Sequence, residues 1–89
     1  MYMPMQPVSL WETDSTKRTL ADVEGAARFL LERWPEGFEE SAQHRAARQA
    51  ALDALNGHVP VAAFRLALIA AAGEAGLLAD PPAQGVRLG

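Results

Sequence analysis

His44 follows Glu40 by four residues, and His58 lies in the loop beyond the same segment. On a helix a four-residue step places both side chains on one face, a spacing from which a metal ion can be held. A metal centre needs a third or fourth ligand at defined geometry, and nothing in the spacing supplies one. Glu40 and His44 therefore read as an exposed helix pair, and His58 as a loop residue near a helix start. Ser41, His44 and Asp53 have the residue types of a nucleophile, a base and an orienting acid. All three fall on one predicted helix and lack a glycine-flanked nucleophile turn, so catalysis is not expected of them. Gly73 and Gly76 end an apolar helix and do not follow a strand, which removes a phosphate-cradling loop. No catalytic residue, metal or cofactor is expected.

The remaining chemistry belongs to single charges and aromatics. Arg65 is the lone cation in "VAAFRLALIAAAGEAG", residues 61–76, with Glu74 its only other charge. A charge in apolar surroundings is costly unless paired, so Arg65 is expected to anchor its helix to a carboxylate or to carbonyls of a neighbouring element, its stem packed on apolar surface. The loop "ERWPEGFEE" sets glutamates around Trp34 and Phe38; these aromatics are expected to close the core while the acids face water. Trp11, Trp34, Phe38, Arg65 and Glu74 are the candidate structural or interaction residues.

The elements that must position these residues follow from periodicity. "PVSLWE" alternates as a strand does, "TDST" reads as a turn through Asp14 and Ser15, and "KRTL" returns as a second strand. A lone hairpin leaves open edges, so it must pack on helices and has the means to pair with a second copy. Asp22 is a suitable N-cap for a helix whose stripe is Val23, Ala26, Ala27, Leu30, Leu31 and Trp34, stopped by Pro35. A second helix is predicted from about Glu39 to Leu55, with an acidic start and a face built on Ala42, Ala46, Ala47, Ala50, Ala51 and Ala54, joined by Leu52 and Leu55. Asn56–Gly57 ends it. Pro60 opens a third helix that runs to about Gly76. The predicted fold is α+β, an N-terminal two-stranded antiparallel hairpin followed by three helices in a small two-layer domain. Residues 1–6 are read as a flexible N-terminus, 7–79 as the domain and 80–89 as a loose tail.

The totals bound the function. The chain has 89 residues, no cysteine and a net charge of −3, with Lys17 its only lysine. A domain this small buries only about 60–65% of its unfolded surface, and without disulfides or thiolate metal sites oligomerisation is the remaining supplement. The acidic balance opposes a phosphate-binding face. A helix, the "NGHVP" turn and a helix superficially suggest a helix-turn-helix, but a recognition helix must offer polar side chains and residues 61–76 offer almost none. Arg45 and Arg48 make only a modest basic spot, diluted by Glu39, Glu40 and Asp53. The N-terminus lacks the positive charge of a secretory signal, and Arg65 and Glu74 interrupt the apolar runs, so a soluble cytoplasmic protein without a membrane span is expected.

The strand "PVSLW", then "DVEGAARFLLERWP", "AALDALNG" and "FRLALIAAAGEAG" resemble the small bacterial proteins of domain-of-unknown-function family 982. The likeness covers about residues 7–78. It is carried by Ala26, Ala27, Leu30, Trp34 and Pro35, by Ala54 to Gly57, and by Arg65, Ala71, Ala72, Glu74 and Ala75. Members commonly carry a cysteine in the second helix, where this chain has alanines, so no thiol role carries over. The resemblance implies a small α+β domain and brings no activity, substrate or catalytic residue. The resulting expectation is a non-enzymatic interaction or regulatory protein acting as a homodimer, with an unknown protein partner. A weak nucleic-acid binder is the alternative, and a small-molecule-binding protein the second.

Overall fold

The computed structural model describes residues 3–13, 15–39 and 41–79. The turn role of Asp14, the Glu40 half of the Glu40–His44 pair and the tail from Asp80 onward lie outside the described residues. Two antiparallel strands, β1 (Pro4–Trp11) and β2 (Lys17–Asp22), precede the helices α1 (Val23–Glu32), α2 (Ala42–Leu55) and α3 (Val61–Ala75). This is the predicted α+β order. Strand β1 begins three residues before the expected boundary, and Met5, assigned to a flexible N-terminus, is buried in the core.

Val8, Leu10 and Leu20 turn their side chains into the core while Thr19 faces solvent, the alternation of a half-buried ribbon. Val8 pairs with Leu20 and Trp11 with Lys17, but the register shifts between Pro4 and Val8. Pro7 has no N–H to give to a ladder, and the irregularity falls where it sits. In the turn Thr13 Oγ1 accepts from the backbone N–H groups of Ser15 (3.3 Å) and Thr16 (3.0 Å). Residues 77–79 cover the far edge of β1: Trp11 N–H donates to Leu77 O at 2.8 Å and Ala79 N–H to Ser9 O at 3.0 Å. Among the described residues the edge left open is that of β2, and Lys17 and Arg18 stand exposed on that strand, as charges do where sheet-to-sheet pairing is discouraged.

Asp22 caps α1 as expected, its Oδ2 accepting from Gly25 N at 2.9 Å. A Cβ on Gly25 would come within 2.9 Å of Asp22 Oδ1, so the cap and the glycine are one feature. The buried stripe of α1 is Val23, Ala26, Phe29 and Leu30. Phe29 takes the place assigned to Leu31, which is 70% exposed, and Trp34 packs from the loop after Glu32. Helix α2 starts at Ala42 rather than near Glu39. Ser41 sets that start by accepting from His44 N at 3.0 Å, and there is no acidic residue in the first turn. Of its alanines only Ala47, Ala51 and Ala54 are buried, whereas Leu52 is 55% exposed. Gly76 closes α3 in the left-handed conformation at φ +73°, a turn open to glycine at little cost.

The hairpin rests on α1 through β2 and on α3 through β1, while α2 packs against both other helices. Phe64, Leu10, Leu30, Leu68 and Val23 are the large side chains fully sealed at the centre. Small residues fill the remaining space, so helix backbones approach closely and each contact buries little area.

Candidate functional site

The structure overturns the exposed reading of His44, which is only 3% exposed. His44 is spaced three, seven and ten residues from Ala47, Ala51 and Ala54, the buried face of α2, and that spacing was the overlooked signal. Its Nδ1 lies 2.8 Å from the carbonyl oxygen of Glu39 and its Nε2 lies 2.9 Å from that of Leu30. Carbonyl oxygens only accept, so a ring nitrogen that carries a hydrogen donates it to the carbonyl it faces. The Leu30 carbonyl belongs to the last turn of α1, where helical partners run out. His44 thus supplies, from α2, the missing donor for α1 and fixes the connecting loop through Glu39. Trp34 packs over the His44 ring at a centroid distance of 5.1 Å and meets Phe29 edge-on at 6.1 Å.

Both ring nitrogens face backbone carbonyls, and among the described residues no three His, Asp or Glu side chains gather. Ser41, His44 and Asp53 are not brought together. The Ser41 hydroxyl accepts from the backbone of His44, and Asp53 accepts from Gln49 at 3.1 Å, about 13 Å along the helix from His44.

Arg65 spans from α3 to β1. Its Nε donates to Gln6 O at 3.0 Å and an Nη2 hydrogen to Pro7 O at 3.2 Å. These carbonyls lie in the stretch where the β1–β2 register slips. Trp34 is buried and Phe38 half-buried, both against the core, whereas Trp11 is partly exposed and Glu74 lies at the surface. Trp11 flanks a shallow polar cleft of about 420 Å³ with Glu12, Pro35 and Leu77. Beside it Glu12 receives Arg18 at 3.4 Å and Arg33 at 3.5 Å, tying the hairpin to the end of α1. The five candidates do not converge on one site.

A second concavity, also about 420 Å³, opens between α1 and α2 and was not anticipated. Ala27, Leu30 and Leu31 form one wall; Ala51, Leu52 and Leu55 form the other, with Arg45 and Arg48 on its rim. Leu31 and Leu52, both assigned to core stripes, are its exposed lips. Arg48 Nε is sealed from solvent without a hydrogen-bond partner, as is Trp34 Nε1. Sequence periodicity alone gave no reason to separate Arg48 from an ordinary solvated charge.

A two-stranded hairpin closed by three helices, with an apolar groove between two of them, defines the class: a small α+β domain. Residues 6–79 match the family model described as protein of unknown function (DUF982), and the chain belongs to that family. No curated protein and no solved structure matches the chain.

Proposed function

We propose that this chain is a non-enzymatic interaction or regulatory protein of the cytoplasm that works as a homodimer. The observation that carries the reading is the outer face of α3. Phe64, Leu68, Ala71 and Ala72 are buried, yet the opposite face presents Ala62, Ala63, Leu66, Ala70 and Gly73, with Leu66 67% exposed. A helix that is apolar all round is ordinarily covered on all sides, and here one side is left to solvent. Its small residues permit close approach of a second helix, and the mild acidity of the chain does not oppose self-association. No helix among the described residues is long and apolar enough to cross a membrane.

Light scattering across a dilution series tests the reading. A dimer that dissociates on dilution is expected, and Leu66→Glu is expected to yield a folded monomer. A wild-type chain that stays monomeric at high concentration overturns it.

A further inference from the structure

The groove between α1 and α2 has apolar walls and one buried donor that the fold does not satisfy. Arg48 is half-buried, and its Nε is shut away from water with no hydrogen-bond partner among the described residues. An unpartnered buried donor is destabilising. Elsewhere the chain finds partners for such groups: Arg65 reaches two carbonyls, and His44 reaches two more. Arg48 lies one turn along α2 from His44, on the face turned to α1. Trp34, whose indole N–H is the other orphan donor, packs on His44. Of the two orphan donors, Arg48 Nε is the one that lines the groove, and an acceptor is missing there.

We propose that this groove binds an amphiphilic carboxylate, an acyl chain of about eight to ten carbons lying along the seam for roughly 10 Å between Arg48 and Leu55, its head group paired to the Arg48 guanidinium. The planar guanidinium fork matches a carboxylate through two parallel hydrogen bonds. A phosphate dianion would bring a second charge into a site walled by leucines. Arg45, three residues earlier on the same rim, adds positive potential at the head-group end. Ala27, Leu31, Leu52 and Leu55 are aliphatic, and the walls contain no aromatic ring to stack on a planar ligand, so a flexible chain is the fitting body. Leu31 and Leu52, left in water by the isolated domain, become covered by the ligand.

Calorimetric titration of the intact protein with octanoate, octanol and acetate tests the assignment, with backbone amide shifts locating the site. Octanoate is expected to bind saturably and to move Leu31, Leu52 and Leu55. Octanol is expected to bind about tenfold more weakly for want of the charged pair, and acetate not to saturate. Arg48→Met keeps the stem and removes the charge, so octanoate and octanol should then bind alike. Leu52→Glu, at an exposed position where the fold tolerates it, should expel octanoate by placing a carboxylate in the groove. Circular dichroism confirms that both variants are folded. Equal affinity for octanoate and octanol in the wild type overturns the proposal, as does a preference that survives Arg48→Met. Shifts confined to the cleft beside Trp11, or no binding at millimolar octanoate, overturn it equally.

Discussion

Arg65 on α3 and Arg48 on α2 are both partly buried cations on helices rich in alanine, yet their surroundings treat them in opposite ways. The α3–β1 seam provides carbonyl oxygens at Gln6 and Pro7, freed where the β-ladder slips, and Arg65 spends its guanidinium on them. Among the described residues the α1–α2 seam provides no acceptor for Arg48 Nε and surrounds the side chain with leucines that water can reach. A charge that closes an irregularity in the backbone belongs to the fold. A charge whose burial leaves a donor unmatched marks a place that a second molecule can complete. The same residue type thus carries different information in the two regions, and the difference lies in the supply of acceptors.

The comparison is most severely tested through His44, which holds the α1–α2 seam together beside Arg48. His44→Ala strips partners from the Leu30 and Glu39 carbonyls and leaves a cavity against Trp34, so a loss of about 2–4 kcal/mol in urea unfolding is expected. A loss under half a kilocalorie would mean that the two carbonyls find water easily, and the seam would not be the rigid wall the groove requires. Next in size is Arg65→Met. It frees two carbonyls but keeps the apolar stem; because the guanidinium is partly solvated, the expected cost is about 1–2 kcal/mol. Arg65→Lys should recover only part of this, since an ammonium cannot span two carbonyls with a planar fork. An unchanged midpoint for Arg65→Met would erase the contrast between the two arginines.

The smallest effect is expected for Arg48→Met, and its sign is the sharpest part of the comparison. Removing a donor that has no partner should leave stability within about 0.5 kcal/mol of wild type or raise it by up to about 1 kcal/mol. A clear destabilisation would show that Arg48, like Arg65, is part of the fold. Leu66→Glu on α3 probes a third surface independently. It should change the association state in light scattering while the unfolding midpoint of the monomer moves little, because the side chain is mostly in water.

The element order was legible because each signal was local. Alternation in "PVSLWE", Asp22 ahead of an apolar stripe, Pro60 and the glycines after α2 and α3 act over a few residues and hold in the structure. The errors came where a helix had more apolar positions than it could bury. In α1 the choice between Phe29 and Leu31 depended on which side α2 and the hairpin approach. In α2 the six alanines span about half of the helix circumference, and only the edge of that arc made by Ala47, Ala51 and Ala54 is buried, a choice set by where α1 and α3 pack. Histidine is usually a surface residue type, but the spacing of His44 to Ala47, Ala51 and Ala54 places it with the buried face.

By itself the sequence determined the family, the α+β order, the Asp22 cap and the need for Arg65 to find a partner, since these depend on residue type, spacing and the cost of an unpaired charge. Only the tertiary structure decided which partner that was, that His44 would complete the end of α1, and that Arg48 Nε would be left without one. Those outcomes depend on which carbonyls happen to face a side chain across a seam. Hydrogen bonds between distant segments are set by packing geometry, which no local pattern of residues records.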